Sequence, residues 1–385
     1  MDVPAENASV GLRVPVSDTL ISDVVANVLI AAICFLILVF SVPAIVLNIL
    51  NVLIFVKTKI DSITVCFISL ALSDLISMIL LSNNAIYGII VAFRVSWGSS
   101  LPTYPFILSI AIGLSVDTSS ATTTYIALQR GLCVALPFLT RHLFNKNRSL
   151  IICVSVFVFI LVCSTPRAIS FRLKTIPNPA DNSSTVTIVQ FLKTWGPSDS
   201  FYTIFVKTAL VCAEFALMIV CAALIFYGMQ ASVKLKLKSS SQAAQAQPKG
   251  SYNTASEYSK FSNGSKGEFK KETGNGSRKT NDKDQNLKNR KETKESLVMK
   301  QSLIVVLIHV MFTTPRMLAS LYGVIEPRYR VGGHYQNLYL VTYSSISVTD
   351  SINAFANFFV YLKFNSKFRG FFVNTICRSG VNVRN

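Results

Sequence analysis

The chain has 385 residues, of which 51% are hydrophobic and 15% charged, and its net charge is +18. An average soluble domain is about 25% charged, so the composition points to lipid as the main solvent and speaks against a string of water-soluble domains. The basic excess does not indicate nucleic acid, because half of it is concentrated in residues 231–300, between two apolar segments, where 16 Lys/Arg stand against 7 Asp/Glu.

The first 26 residues begin MDVPAENASVGLRVPVSD, a polar start without the charged and apolar regions of a signal peptide. The first apolar span is expected to direct insertion. Seven apolar stretches then reach the roughly 20 residues that a hydrocarbon core requires: 27–56, 63–93, 102–135, 149–170, 201–230, 298–325 and 337–362. Each is expected to be helical, since lipid cannot satisfy open backbone groups. The fold class is an all-α membrane protein: a seven-transmembrane helix bundle over 27–362, followed at 363–385 by a short amphipathic helix and tail.

The loops fix an expected orientation. Lys57 and Lys59, then Arg141, Lys146 and Arg148, then the basic stretch after the fifth span, then Lys363, Lys367 and Arg369 all fall on one side. Basic loops mark the cytoplasmic side, and anionic inner-leaflet lipid attracts them. The N-terminus is then outside and the C-terminus inside. The outer loop near 171–200 also carries Arg172, Lys174 and Lys193, so the bias is clear without being absolute. Asn7 and Asn182 head glycosylation sequons on the outer side. Residues from about 234 to 294 are rich in Ser, Gln, Lys, Gly and Asn, a composition that cannot bury a core and reads as a disordered loop. Thr280, after Arg278 and Lys279, is a phosphorylation candidate or simply part of a solvated tether.

Ionisable residues inside spans are costly and each is a functional hypothesis. Asp74 follows Leu70-Ala71-Leu72-Ser73 in the second span, Asn48 lies in LNILNVLIF of the first, and Arg130 closes the third in ALQRGLCVALP. Pro315 interrupts the sixth, and Asn357-Phe358-Phe359-Val360-Tyr361 ends the seventh. Asp117, Glu214, Arg316 and Asp350 lie in the middle or outer parts of spans, as lining of a ligand pocket or as structural glue. His309 stands without a nucleophile or metal partner in the sequence, and no catalytic constellation is visible.

In order and spacing these pieces resemble the rhodopsin-like (class A) G-protein-coupled receptors. The look of LNILNVLIFVKTKI, FISLALSDL and FTTPR is closest to invertebrate peptide receptors of the FMRFamide-receptor-like group, and lineage-expanded chemosensory receptors look similar. The resemblance implies an extracellular ligand, peptide or chemosensory, and a heterotrimeric G protein as partners, at the plasma membrane. It implies an allosteric sodium ion at Asp74 with Ser119, Asn353, Asn357 and the neighbouring Asn48, a neutral hydrogen-bonded Asp74 being the alternative. It implies that Arg130 pairs with Glu295 at rest, that Tyr361 turns toward Arg130 on activation, and that Pro315 is the pivot. Arg130 as a lone snorkelling side chain and Pro315 as an ordinary kink remain alternatives. Residues 363–372 alternate basic and aromatic side chains as an amphipathic helix does, with Cys377 a palmitoylation candidate.

The departures are as informative. Gln129 and Gly131 flank Arg130 where the family has an acid and a tyrosine, Thr313 replaces a tryptophan, and Phe358 replaces a proline. Pro105 stands where the family's extracellular disulfide begins, residues 171–200 contain no cysteine, and Trp97 of the first outer loop remains. No disulfide is expected, and the 171–200 loop should be mobile. Ile112 in place of the amine receptors' acid, and a seventh span without lysine, speak against amine and retinal ligands. A non-signalling decoy receptor stays open. A transporter or channel subunit would call for repeats or broken helices that the sequence does not show.

Overall fold

The computed structural model describes residues 20–58, 60–93, 103–136, 140, 143–169, 171–178, 181–191, 202–245, 276–330 and 333–374. Within these, residues 103–106, 166–169, 171–178, 181–191, 202–203, 206, 232–233, 235–245 and 276–298 are described by their backbone alone. Helices α1 (Asp23–Lys57), α2 (Ser62–Ala92), α3 (Thr103–Ala135) and α4 (Lys146–Ile169) come first. Strands β1 (Phe171–Asn178) and β2 (Asp181–Phe191) follow, and a π-helical stretch, Tyr202–Leu210, runs into α5 (Val211–Gln245). Helices α6 (Gly276–Ile325), α7 (Gln336–Phe364) and α8 (Ser366–Phe372) complete the chain.

Local chemistry sets several boundaries. Asp61 caps α2, accepting from the Thr64 backbone N–H at 2.9 Å and from its hydroxyl at 2.7 Å. Asn365 caps α8, accepting from the Phe368 N–H at 3.1 Å. Pro43 and Pro315 both sit inside helices, which a bundle tolerates because neighbouring helices and side-chain hydroxyls serve the freed carbonyls.

Helix α3 is central, packing on α2, α4, α5 and α6, while α1 packs on α2 and α7, and α7 on α6. The outer faces are apolar: Val28, Phe35, Ile151 and Val162 are each more than 60% exposed. In water such faces would be an aggregation hazard; in lipid they are the solvated surface. Five helices are long and apolar enough to cross a membrane on composition alone: α1, α2, and the portions Lys146–Thr165, Lys207–Ala231 and Met299–Ile325. Helices α3 and α7 are less apolar because they turn polar side chains inward. The buried run Ser115, Asp117, Thr118, Ser119, Ser120, Thr122, Thr123 and Thr124 belongs to α3. Several of its hydroxyls bond back to carbonyls four residues earlier, as Thr122 does to Thr118 at 2.8 Å, which makes them cheap to bury.

Two features depart from the sequence reading. The 171–200 segment, expected as a mobile loop, contains an antiparallel hairpin pairing Phe171 with Phe191 through Pro177 with Thr185, with an irregularity between Pro177 and Asn178. The run Thr185-Val-Thr-Ile-Val189 is β-branched throughout and supplies strand propensity that overrides the missing staple. Helix also reaches into the segment expected as a disordered loop, because α5 extends to Gln245 and α6 begins at Gly276. Lys, Arg, Glu and Gln are strong helix formers, and each added residue at the end of an existing helix avoids a new nucleus.

Candidate functional site

The described polar interior has three levels. The first joins four segments through charge. Arg316 on α6 reaches Asp117 on α3 at 3.2 Å and Asp350 on α7 at 2.5 Å. Lys207, on the π-helical stretch before α5, reaches the other Asp117 oxygen at 3.3 Å. The widened π-helical turn is a backbone form often found at functional sites. Two cations thus face two carboxylates, and removing either partner of such a buried pair costs about 3–5 kcal/mol. Glu214 on α5 adds a third carboxylate, accepting from the Ser120 hydroxyl at 2.8 Å. All four sequence-predicted pocket residues therefore come together. Lys207 was not singled out, although the rule for ionisable residues in spans applies to it as well.

A cavity lies beside these charges. Asp74, Ser119, Glu214, His309, Arg316, Asp350 and Asn353 are among its lining residues, and its interior of about 30 Å³ has room for one or two waters. Asp350, Asn353 and Asn357 follow at i, i+3 and i+7 on one face of α7, so this helix carries the lining from the charged level to the next.

The second level centres on Asp74, 3% exposed. Its carboxylate accepts from the Ser119 hydroxyl at 2.5 Å and from the Asn357 amide at 2.9 Å. Two other members of the expected set have hydrogen-bond partners other than Asp74. Asn48 does not touch Asp74; it donates to the Ala44 carbonyl at 2.9 Å and the Ala354 carbonyl at 3.3 Å, tying α1 to α7. Asn353 donates to His309 at 3.2 Å, and its buried Oδ1 has no partner among the described residues. His309, which appeared solitary in the sequence, is therefore part of a network that only the tertiary fold assembles.

The third level surrounds Arg130. The Gln129 amide donates to the Ser62 hydroxyl at 2.7 Å, and Ser62 shares a 2.6 Å bond with Ser149. Gln129 thus ties α3 to α2 and α4 instead of holding Arg130, whose buried Nε has no partner among the described residues. Glu295 falls on α6, but its side chain lies outside the described residues. Tyr361, 1% exposed, packs edge-on to Phe55 at 5.1 Å and against Phe67 at 5.0 Å. Phe358 fills the same cluster, 5.7 Å from Phe368 and from Phe372, and α7 continues unbroken past it. Pro315 lies between Thr314, whose hydroxyl serves the Val310 carbonyl at 2.8 Å, and Arg316. Asn7, Trp97 and Cys377 lie outside the described residues, as does the side chain of Asn182, which falls on β2. The seven described cysteines are free.

A bundle of seven long helices with an apolar exterior and an ionic interior is the architecture of a multi-pass membrane receptor. The family pattern of the seven-transmembrane receptors (rhodopsin family) matches residues 47–361, and the chain belongs to that family. Among curated proteins, none matches the chain.

Proposed function

We propose that the protein is a plasma-membrane G-protein-coupled receptor whose ligand, a peptide or a chemosensory cue, acts on the charged level, and whose Arg130 end engages a heterotrimeric G protein. The observation that carries this reading is the buried set Lys207–Asp117–Arg316–Asp350, which joins α3, α6, α7 and the segment before α5 around a cavity that also reaches Asp74. A charged ligand group competes for one arm of that set and so shifts the relative positions of the helices. Only a difference in ligand affinity between two arrangements moves such an equilibrium. Outward motion of α6 about Pro315 then opens the Arg130 end. In this reading the basic loops and α8 are cytoplasmic, with Phe368, Phe371 and Phe372 inward and Lys363, Lys367 and Arg369 toward anionic lipid.

A sodium ion at Asp74 belongs to the same proposal. The oxygens present suit a hard cation: the Asp74 carboxylate, the Ser119 hydroxyl and the unpartnered Asn353 Oδ1. The ion supplies one positive charge against the buried carboxylate, and Asn357 positions that carboxylate by its 2.9 Å bond.

The test is a G-protein dissociation assay in cells, with a panel of neuropeptides and odorants, comparing wild type with Arg130→Ala at matched surface abundance. Ligand-driven dissociation in wild type and its loss in Arg130→Ala support the reading. Saturable ligand binding without dissociation in either would favour a decoy receptor, which the engagement of Gln129 by Ser62 also accommodates.

A further inference from the structure

Two thiols meet inside the bundle, and the receptor reading above leaves both without a role. Cys66 of α2 is 0% exposed and Cys153 of α4 is 6% exposed. The two thiols are direct neighbours, and each has a serine hydroxyl beside it, Ser149 at Cys66 and Ser69 at Cys153. The register of the helices explains the meeting. Ser62 and Ser149 share a 2.6 Å bond between α2 and α4. Cys66 and Cys153 stand four residues after them, one turn further along each helix and on the same faces.

The surroundings of the pair suit sulfur chemistry. The Cys66 thiol donates to the Ser62 carbonyl at 3.3 Å, with the Gln129 side-chain oxygen at 3.8 Å as a second acceptor. Its proton is thus directed toward oxygen, and its lone pairs are left for Cys153. At Cys153, Ser69 offers a hydroxyl proton to the sulfur as it becomes a thiolate, the nucleophilic form. Two other buried sulfurs are placed differently: Cys34 packs toward Gly88 and Cys221 toward Gly131, where glycine offers no second sulfur.

We propose that Cys66 and Cys153 form a reversible disulfide on meeting a hydroperoxide, and that this bond staples α2 to α4 beside Gln129. Cys153 reacts first, since its sulfur is the less covered of the two and its neighbour Val154 faces outward at 54% exposure. The Cys153 sulfur attacks the terminal peroxide oxygen, and the O–O bond breaks. The leaving oxygen takes the thiol proton and departs as an alcohol, or as water where the oxidant is hydrogen peroxide. Cys153 is then a sulfenic acid, which condenses with a neighbouring thiol. The Cys66 sulfur attacks the Cys153 sulfur, the S–O bond breaks, and the hydroxide leaves as water with the Cys66 proton. Two thiols lose two electrons in all, and one O–O bond is reduced. The bond closes a long loop, which constrains the unfolded chain. It also withdraws the Cys66 donor from Gln129, the residue before Arg130.

The test uses the purified full-length protein in lipid nanodiscs, without ligand or G protein, so its outcome is separate from that of the receptor reading. Hydrogen peroxide is added in one arm and cumene hydroperoxide, which partitions into the bilayer, in the other. Peptide mass spectrometry after denaturing alkylation should show Cys66 and Cys153 joined, lighter by two hydrogens, with both thiols lost to alkylation together. Dithiothreitol should restore both. Faster joining by cumene hydroperoxide upholds the proposal with lipid hydroperoxides as the source, and faster joining by hydrogen peroxide upholds it with an aqueous source. Oxidised wild type should melt at a higher temperature than reduced wild type, and Cys66→Ser should show no such rise. Cys66→Ser should instead leave Cys153 as a sulfenic acid that dimedone traps. Both thiols remaining open to alkylation while methionines are oxidised overturns the proposal, as does joining of either cysteine to a different partner. The wild-type arms decide even where the Cys66→Ser protein does not fold.

Discussion

Arg316→Gln is the sharpest perturbation of the charged level. The arginine is shared by Asp117 at 3.2 Å and Asp350 at 2.5 Å, and the three side chains are only 15%, 11% and 16% exposed. Opposite unit charges 4 Å apart attract by about 4 kcal/mol at an effective dielectric of 20. Loss of one partner from a buried pair costs about 3–5 kcal/mol, chiefly because the other charge is left buried and alone. Lys207 still serves Asp117 at 3.3 Å, which places the expected loss near about 3 kcal/mol, at the lower end of that range. At about 2–4 °C per kcal/mol the melting temperature of the purified protein should fall by roughly 6–12 °C. The second half of the experiment tests the cause. Asp350→Asn, added to Arg316→Gln, removes the stranded carboxylate and should recover part of the loss, so the two substitutions combine to less than their sum. A fall of under about 2 °C for Arg316→Gln, on the same conversion, refutes the reasoning, as does strict additivity in the double variant.

Three further outcomes follow from the same geometry. Replacing choline chloride with sodium chloride should raise the melting temperature of wild type but not of Asp74→Asn; equal responses would remove the sodium proposal. A Cβ at Gly228 of α5 would stand 2.1 Å from Cγ1 of Val134 on α3, a stiff β-branched side chain that cannot turn away. Gly228→Ala should therefore cost about 1–3 kcal/mol by overpacking, read as a lower melting temperature, whereas an unchanged value would show that the two helices separate freely. Phe368 is 1% exposed and lies 5.3 Å from Phe55 and 6.0 Å from Tyr361. Phe368→Ala should cost about 3–5 kcal/mol of local packing and release α8, seen as faster hydrogen exchange over residues 366–372 with the rest of the bundle unchanged.

The sequence made the bundle legible because lipid imposes two simple requirements, length and apolarity, and the seven apolar stretches correspond to the seven long helices. The hairpin was not legible, because a charged loop without cysteine gives no tertiary signal, although its β-branched run did carry a local one. The candidate site was legible in proportion to how far its members depend on one helix. Asn353 and Asn357 share a face of α7, and the turn periodicity alone places them together. Asp117, Arg316 and Asp350 are ionisable residues in apolar surroundings, and their cost marks them individually. Their mutual pairing depends on how α3, α6 and α7 are rotated, which no periodicity fixes. His309 shows the same limit most clearly, since its partners are 189 and 44 residues away in the chain. Asn48 illustrates the converse: its position was found, but its partner proved to be a backbone carbonyl, and a carbonyl leaves no mark in the residue pattern.

The departures from the family pattern fit one physical picture when their environments are compared. Where the family places a tryptophan near the α6 pivot, this chain has Thr313, 9% exposed, bonded to the carbonyl of His309. That bond lies within α6, while the His309 ring is hydrogen-bonded to Ser120 of α3 and Asn353 of α7, contacts that are directional. Where the family places a proline in α7, this chain has Phe358, which joins Phe55, Phe67, Tyr361 and Phe368 in one buried cluster at the Arg130 end. Bulk that is missing at the centre is present at that end. A hydrogen-bonded centre breaks at discrete bonds, whereas an aromatic cluster gains its energy from contact area and yields by sliding. The bonds at His309 hold α6 to α3 and α7 at that level. In the proposed activation Tyr361 turns toward Arg130 and has to leave Phe55 and Phe67, so the contact area of that cluster opposes the turn.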